Sequence, residues 1–276
     1  MATAPTVRLA DGQALPAIGL GTSPMNDAEA EIAVREALQV GYRLVDTASK
    51  YANEIGVGRG VATANVPREQ VVVATKVRGD DQGYGSTLSA FEQSRKRLGM
   101  DYVDLYLIHW PLPRLDKYVD SWRAMVRLQA DGVVRSIGVS NFTAEQIDRL
   151  LDETGVAPAV NQIELHPFFP QPQMRAADAE RGVLTQSWSP LGRGRGILPA
   201  KPVADAAARV DRSPGQVVLR WHVQLGAVPI PKSASPERQR ENLDVFDFTL
   251  TDEEMAGISS LGRGRFGGDP MTHEEF

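Results

Sequence analysis

The feature that most constrains the fold is an alternation of short β-rich runs with longer helical segments, repeated along the 276 residues of the chain. The β-rich runs lie at 17–22, 42–47, 70–77, 102–108, 133–140, 159–164, 182–188 and 227–231. Apolar residues recur at helical spacing at about 27–40, 53–64, 87–98, 118–130, 143–154, 171–181, 214–225 and 236–242. Eight strand-then-helix units within about 250 residues predict an α/β fold of the (β/α)8 TIM-barrel type.

Individual segments favour this architecture. The helix predicted over 27–40 ends at Gly41, and the continuous run 71–73 of three valines is typical of a parallel strand buried on both faces. Ahead of the first unit, Asp11-Gly12 separates two β-like triplets and predicts an N-terminal β-hairpin that closes the bottom of the barrel. No linker rich in Ser, Pro or Gly divides the chain, so we expect a single domain over 1–276.

Composition excludes several classes of function. The 30 basic and 35 acidic residues give a net charge of −5, which leaves no basic surplus for binding a nucleic acid backbone. Cysteine is absent and histidine occurs four times, which excludes thiol nucleophiles, disulfide frameworks and Cys-ligated metals, and we predict no metal site. No secretion signal and no apolar run near the roughly 20 residues of a membrane span is present, so we expect a cytoplasmic protein without membrane contact.

Active sites in TIM barrels lie where the strands end, and the predicted strand ends carry polar residues. A charge at the end of an apolar strand is costly to bury unless it is paired, so we predict that Asp46 and Lys76 pair with each other. Such a pair alone fits a structural role about as well as a functional one. The residues at the strand ends are Gly21-Thr22, Asp46-Thr47, Lys76, His109-Trp110, Ser140-Asn141, Gln162, Ser187-Trp188 and Lys232-Ser233.

Tyr51, which follows Asp46 closely, suggests acid–base chemistry. An isolated phenol has a pKa of about 10, and a nearby ammonium such as that of Lys76 is expected to lower the pKa. We expect Asp46 to keep Lys76 charged and His109 to hold a substrate oxygen beside the phenol. These four residues are able to deliver a proton to a carbonyl oxygen. Reduction also needs a hydride, which no side chain supplies, so we expect a bound cofactor.

These four residues are followed by recognisable motifs at 138–142, 161–167, 188–192 and 230–233. In this order and spacing, the chain resembles the aldo-keto reductase family over nearly its whole length, and looks most like the bacterial 2,5-diketo-D-gluconate reductases. The resemblance implies an NADP-dependent oxidoreductase, a monomer, that reduces small aldehydes and ketones with NADPH. It makes Tyr51 the proton donor, with Asp46, Lys76 and His109 completing a catalytic tetrad. It also implies a C-terminal loop over the barrel mouth.

The resemblance also implies how the cofactor is held. The nicotinamide carboxamide is expected at Ser140, Asn141 and Gln162, and the ring on Trp188. A glycine-rich loop after Trp188 is expected to cover the pyrophosphate. The stretch from Lys232 to Asn242 resembles the site for the adenosine 2′-phosphate, which predicts NADPH over NADH. The expected contacts are Thr22, Ser140, Asn141, Gln162, Trp188, Leu191, Gly192, Gly194, Ile230, Lys232, Ser233, Arg238, Glu241 and Asn242.

Substrate contacts are expected at His109, Trp110 and Arg78. The chain reads Val77-Arg78-Gly79 where the family often places an aromatic residue, and Lys50 stands where an apolar or aromatic residue is more common. We hypothesise that Arg78 or Lys50 attracts an anionic keto acid or sugar acid. The expected substrates are therefore dicarbonyls, keto sugars or keto acids.

Two alternatives are open at this stage. Lys76 at a strand end is compatible with a Schiff-base lyase, in which its amine attacks a carbonyl carbon. A non-catalytic NADPH-binding sensor is the second alternative, and its expected mark is a broken tetrad. The four tetrad residues are all present in this sequence.

Overall fold

Parallel strands closed into a barrel form the centre of the molecule, which a computed structural model describes for residues 4–275. The barrel strands are β3 (Leu20–Gly21), β4 (Leu44–Asp46), β5 (Val72–Val77), β6 (Val103–Ile108), β7 (Val134–Ser140), β8 (Val160–Glu164), β9 (Leu184–Trp188) and β10 (Val228–Ile230). Each pairs with its neighbour in the chain. Gly21 forms a parallel bridge with Lys232, which joins the last strand to the first. The predicted TIM barrel is confirmed.

Helices surround the strands. They are α1 (Asp27–Val40), α2 (Glu54–Thr63), α3 (Tyr84–Leu98), α4 (Tyr118–Ala130), α5 (Ala144–Thr154), α6 (Pro172–Glu180), α7 (Lys201–Val210), α8 (Pro214–Gln224), α9 (Pro236–Leu243) and α10 (Asp252–Ser259). The eight predicted helices all form, whereas α7 and α10 were not predicted from the sequence. Both are extra to the repeating units: Val203 of α7 and Ile258 of α10 are fully buried in one cluster with Trp221 of α8.

The N-terminal hairpin lies at the bottom of the barrel, as predicted. Strands β1 (Thr6–Arg8) and β2 (Ala14–Pro16) pair antiparallel. Leu9 and Leu15 are buried in one apolar cluster with Leu44 and Leu105 from the barrel strands. Covering these strand side chains removes apolar area from water, at about 25 cal/mol per Å2. The hairpin thereby leaves the opposite end, where the strands finish, as the open mouth.

Local sequence explains why the α1 helix starts where it does. The Asn26 side chain accepts a hydrogen bond from the Glu29 backbone N–H, and the Glu29 carboxylate accepts one from the Asn26 N–H, each at 3.0 Å. This capping box satisfies backbone donors that a helix start leaves free, and such a cap is worth about 1 kcal/mol. The buried face of α1, including Val34 and Leu38, packs on the outside of the barrel.

The stretch after α10 crosses the barrel mouth, in agreement with the expected C-terminal loop. The backbone N–H groups of Phe266 and Gly267 donate to the carboxylate of Glu164, at 2.6 and 2.9 Å. The N–H of Arg263 donates to the carbonyl of Phe168 at 2.8 Å. Glu164 ends strand β8, so the tail is fastened directly to the rim of the barrel. We call residues 262–275 the C-terminal tail.

No helix within residues 4–275 has both the length and the apolar character that crossing a bilayer requires.

Candidate active site

A cavity of about 620 Å3 opens at the carboxyl ends of the strands. Its volume is within the range of sites for small molecules and cofactors. Most of the residues predicted from the strand ends meet here. The predicted residues that line the cavity are Thr22, Asp46, Tyr51, His109, Trp110, Ser140, Asn141, Gln162, Trp188, Leu191, Ile230 and Lys232.

Asp46 and Lys76 form a buried ion pair behind the cavity wall. The Lys76 ammonium, whose side chain is 0% exposed, donates to Asp46 Oδ1 at 2.7 Å and to the carbonyl of Thr47 at 2.9 Å. Gln162 donates to the second carboxylate oxygen of Asp46 at 2.8 Å. Burial by itself lowers the pKa of Lys76, but the interactions with the Asp46 carboxylate and with Tyr51 outweigh it and the pKa is raised. Lys76 is therefore a fixed ammonium.

Tyr51 stands at the end of a 3₁₀ turn over Ser49–Tyr51, between this ion pair and the cavity. The Lys76 ammonium lies 5.3 Å from the centre of the Tyr51 ring. The pKa of Tyr51 is nevertheless raised, first because burial disfavours a phenolate; Lys76 lowers the pKa, but does not compensate. The expected effect of the ammonium is thus present, but the net pKa is raised, because desolvation exceeds the attraction of one ammonium already paired with Asp46.

His109 and Trp110 continue the cavity wall from the end of β6. The His109 ring meets the Tyr51 ring edge to face, with centroids 5.6 Å apart. The Trp110 ring packs against His273 of the C-terminal tail at 4.0 Å between centroids. Glu275 of the tail contacts His109 Nδ1 and accepts a hydrogen bond from the Gly79 N–H at 3.0 Å. Glu275 was not predicted from the sequence, since nothing local relates it to His109.

Ser140, Asn141, Gln162 and Trp188 form one hydrogen-bonded network across strands β7, β8 and β9. Asn141 accepts from the Trp188 indole N–H at 2.8 Å and donates to Ser140 Oγ and to the His109 carbonyl, each at 3.0 Å. Gln162 donates to Asp46 and, at 3.0 Å, to Gln186. Both amide hydrogens of Gln162 are used, so its carbonyl oxygen is the atom available to a ligand.

A buried carboxylate supports this network from outside the barrel. Asn161 donates to the Phe142 carbonyl and to Asp178 Oδ1, each at 3.1 Å, while Thr185 donates to Asp178 Oδ2 at 2.7 Å. Burial raises the pKa of Asp178 to about 7, although both hydrogen bonds lower it. Asp178 thus ties α6 to the loop that carries Asn141.

The loop after β9 forms the side of the cavity next to Trp188. Leu191 and Arg193 line the cavity, whereas Gly192 and Gly194 do not. Gly192 has a φ of +68°, and a Cβ there would lie 2.1 Å from Ile197 Cδ1, so the position requires glycine. The Arg193 guanidinium lies 5.4 Å from the centre of the Trp188 ring and donates to Ser189 Oγ at 2.7 Å.

Of the predicted phosphate-binding stretch, where β10 leads into α9, Lys232 lines the cavity, whereas Ser233, Arg238, Glu241 and Asn242 do not. Lys232 and Arg238 are exposed, and neither forms an ion pair with a carboxylate in the described part of the chain. The Ser233 hydroxyl donates to the Ser235 carbonyl at 3.1 Å and accepts from the Ser235 N–H at 3.2 Å. The hydrogen bonds of the Ser233 hydroxyl are therefore made within the loop itself. Glu241 is exposed and Asn242 is buried on α9.

Of the predicted substrate contacts His109, Trp110 and Arg78, only the first two line the cavity. The Arg78 guanidinium pairs with Asp80 at 3.1 Å and with Asp81 at 3.3 Å, and Arg78 does not line the cavity. The two carboxylates follow it on a 3₁₀ turn over Gly79–Asp81, so its charge is offset locally. Lys50 also does not line the cavity. Burial lowers the pKa of His273 in the tail, and the charge of Lys50 lowers it further.

Several cavity residues were assigned no contact from the sequence, although Ser189, Pro190 and Pro231 lie within the motifs at 188–192 and 230–233. Ser189, Pro190 and Pro231 follow strands β9 and β10 directly, and Ser23 and Pro24 follow β3. Their position after strand ends was the available signal. Among residues 4–275 no group of three or more His, Asp or Glu side chains is arranged to hold a metal ion.

Comparison with known proteins gives a consistent result. The model of the Aldo/keto reductase family matches residues 16–263. The chain is 49% identical over 276 residues to 2,5-diketo-D-gluconic acid reductase B of Corynebacterium sp., covering 100% of both chains. It is 48% identical over 269 residues to an aldo-keto reductase of Mycolicibacterium smegmatis, covering 97% of this chain and 98% of that one.

A solved structure agrees with the sequence comparison. A mutant of Gox0644 crystallised in complex with NADPH superposes with a TM-score of 0.94 at 44% sequence identity, covering 99% of this chain and 100% of that one. A family match over most of the chain, relatives of nearly equal length and a shared barrel all lead to one assignment. The chain belongs to the aldo/keto reductase family.

Proposed function

We propose that this protein reduces small aldehydes and ketones to alcohols with NADPH. The observation that carries the proposal is the placement of the Tyr51 phenol between a buried Lys76–Asp46 pair and the cavity, with His109 beside it. A phenol, an ammonium, a carboxylate and an imidazole form a proton-delivery site without a nucleophile for acyl transfer. Membership in the aldo/keto reductase family and the NADPH complex of the Gox0644 mutant support the choice of cofactor.

The residues around the cavity fit a nicotinamide cofactor. The Gln162 side-chain carbonyl oxygen is available to accept from a carboxamide. Ser140 Oγ donates its hydrogen to the Gln162 backbone carbonyl and accepts from Asn141, so it would meet a carboxamide only as an acceptor, and Trp188 is fixed by its hydrogen bond to Asn141. Gly21 lets strand β3 lie close to strand β10 at the cavity wall, since a Cβ there would lie 3.0 Å from the Ile230 carbonyl. Carboxamide and ring would thus be held on the wall that faces Tyr51.

The far end of the cavity fits a phosphate. Lys232 and Arg238 supply positive charge without acidic partners in residues 4–275, at the start of α9. Cations that are not neutralised by the protein favour an anionic ligand, and a charge-assisted contact is worth about 1.5–3 kcal/mol. These two residues would select the 2′-phosphate of NADPH over NADH. Ser233, whose bonds are used within its loop, would contribute through its backbone.

In the proposed mechanism, bound NADPH supplies the hydride for the carbonyl carbon. Tyr51 donates its proton to the carbonyl oxygen, and its raised pKa keeps the phenol protonated before the reaction. Lys76 stabilises the phenolate that is left, while Asp46 holds the ammonium in place. His109 and Trp110 hold the substrate oxygen beside the phenol.

The proposed substrates are dicarbonyls, keto sugars or keto acids. Similarity to the 2,5-diketo-D-gluconic acid reductase B of Corynebacterium sp. supports a keto sugar acid. Arg193, which lines the cavity and has no acidic partner in the described residues, is better placed than Arg78 to attract a carboxylate. We further propose that the protein acts as a monomer in the cytoplasm.

The alternatives receive less support. A Schiff-base lyase needs a neutral, accessible amine, whereas Lys76 is fully buried, paired with Asp46 and has a raised pKa. A non-catalytic sensor has no need of Tyr51 and His109 side by side on the cavity wall.

The proposal is tested with Tyr51→Phe, which removes the proton donor and little else. We expect turnover of a dicarbonyl to fall by about three orders of magnitude or more, while NADPH still quenches tryptophan fluorescence with native affinity. Tyr84→Phe is the matched control, because Tyr84 is exposed at the start of α3, away from the cavity. Turnover within a few-fold of native in Tyr51→Phe contradicts the proposal.

A further inference from the structure

The carboxylate of Glu275 is buried against the active-site histidine. Its side chain is 4% exposed, and both of its oxygens have neighbours. Oε2 accepts a hydrogen bond from the Gly79 N–H at 3.0 Å, and Oε1 contacts Nδ1 of His109. Within residues 4–275 neither His109 Nδ1 nor Glu275 Oε1 has a hydrogen-bond partner elsewhere. Glu275 of the C-terminal tail therefore contacts His109, the residue that is proposed to hold the substrate oxygen.

We propose that Glu275 is a positioning residue that fixes the proton of the neutral His109 ring on Nδ1 and leaves Nε2 toward the substrate. A carboxylate only accepts hydrogen bonds, so its contact with Nδ1 is favourable when Nδ1 carries a hydrogen. A neutral imidazole has a single N–H. With that hydrogen on Nδ1, Nε2 is an acceptor in the neutral ring and becomes a donor only when the ring gains a second proton.

The surrounding charges leave Glu275 as the group that orients the ring. Asp46, the other nearby carboxylate, is already bonded to Lys76 and Gln162. Tyr51 meets the ring by its edge, His273 packs on Trp110, and neither His273 nor Lys50 forms an ion pair or hydrogen bond with His109 within residues 4–275. Glu275 is thus the carboxylate in contact with the imidazole.

The kinetic consequence rests on the proposed function. A carbonyl oxygen accepts hydrogen bonds but does not donate them, so His109 binds it only through a protonated Nε2. In the native enzyme this requires the doubly protonated ring. The kcat/KM for carbonyl reduction is therefore expected to fall at alkaline pH, as the imidazole loses its second proton.

Glu275→Gln reverses this arrangement. The Gly79 N–H needs an acceptor, so the amide oxygen of glutamine takes that place and its NH2 group faces His109 Nδ1. A donor opposite Nδ1 moves the proton of the neutral ring to Nε2. Glu274→Gln is the matched control, because Glu274 is the preceding tail residue and pairs with Arg114 at 2.6 Å instead of with His109.

The direct test is nitrogen NMR of the four histidines, with His109 assigned from His109→Gln, on the protein without cofactor. At a pH where the nitrogen signals of His109 themselves show a neutral ring, we expect Nδ1–H in the native chain and in Glu274→Gln, and Nε2–H in Glu275→Gln. Nε2–H in the native chain, or the same tautomer in all three proteins, overturns the inference. This readout is independent of turnover, so it is distinct from a failure of the proposed function.

The kinetic test compares kcat/KM profiles over pH. We expect Glu275→Gln to lose the alkaline decline, because its neutral ring already offers Nε2–H to the carbonyl oxygen, while Glu274→Gln keeps it. A merely structural role for Glu275 lowers activity at every pH and leaves the shape of the profile unchanged, which contradicts the inference. Glu275→Ala, which removes both tail contacts, is expected to leave the ring without a fixed tautomer.

Discussion

Replacing Lys76 by methionine is the most informative test of the buried ion pair. The substitution keeps most of the side-chain volume and leaves the Asp46 carboxylate buried without its counter-charge. Lys76 is 0% and Asp46 is 6% exposed in their side chains, and the two atoms are 2.7 Å apart. Breaking a buried pair by removing one partner destabilises a protein by about 3–5 kcal/mol. For a chain of this size the melting temperature is expected to fall by roughly 10 °C.

The surface pair Lys201–Asp205 provides a matched control for this substitution. Its atoms are 2.6 Å apart, but the side chains are 83% and 62% exposed. Water screens such a pair, so Lys201→Met is expected to leave the melting temperature almost unchanged. The two ion pairs differ in burial but hardly in the distance between their charged atoms.

A double-mutant cycle separates the ion pair from simple loss of packing. Adding Asp46→Asn to Lys76→Met removes the unpaired charge, while the asparagine oxygen still accepts from Gln162. We expect the double variant to recover about 2 kcal/mol relative to the sum of the single variants. Differential scanning calorimetry measures all four proteins. A fall in melting temperature below about 3 °C for Lys76→Met, or strictly additive effects, refutes the reasoning.

Three further predictions concern the cofactor site and its support. Arg238→Ala is expected to raise the KM for NADPH by about 10- to 100-fold with little change for NADH, since one charge-assisted phosphate contact is lost; equal changes for both cofactors contradict the assignment. Asp178 has a folded pKa of about 7, above the ordinary 3.8, so it contributes stability below about pH 4 that is lost as the pH rises to about 7. Asp178→Asn should therefore show a smaller fall in melting temperature between pH 5 and pH 8 than the native chain, and an equal fall rejects this explanation. In Gly267→Ala the new Cβ would lie 2.4 Å from the Trp188 ring, so we expect several-fold weaker NADPH binding by fluorescence titration, whereas Gly262→Ala, with open space around it, should bind normally.

The sequence predicted the barrel because the relevant signal is local. Each strand and each helix of the repeating units has its own apolar period and its own start or stop residues, as in the capping box at Asn26. The helices α7 and α10 were not predicted because they stand outside the repeat. The polar residues at strand ends were also accessible, because parallel strands in a barrel present their carboxyl ends at one face.

The tertiary structure decided the electrostatics and the long-range contacts. The sequence by itself predicted that Asp46, Tyr51, Lys76 and His109 lie at one end of the barrel. It did not determine the direction of the Tyr51 pKa, because that depends on how far burial outweighs one paired ammonium. It assigned Arg78 to substrate, whereas Asp80 and Asp81 take up its charge.

The contact between Glu275 and His109 shows the limit most clearly. The Glu275 carboxylate reaches Gly79 across 196 residues of sequence, and no local period relates the two positions. Sequence patterns determine which residues reach a strand end, since that follows from a few neighbouring side chains. Which distant charge then faces each of them depends on the closed path of the whole chain, and only the folded barrel with its tail in place fixes that path.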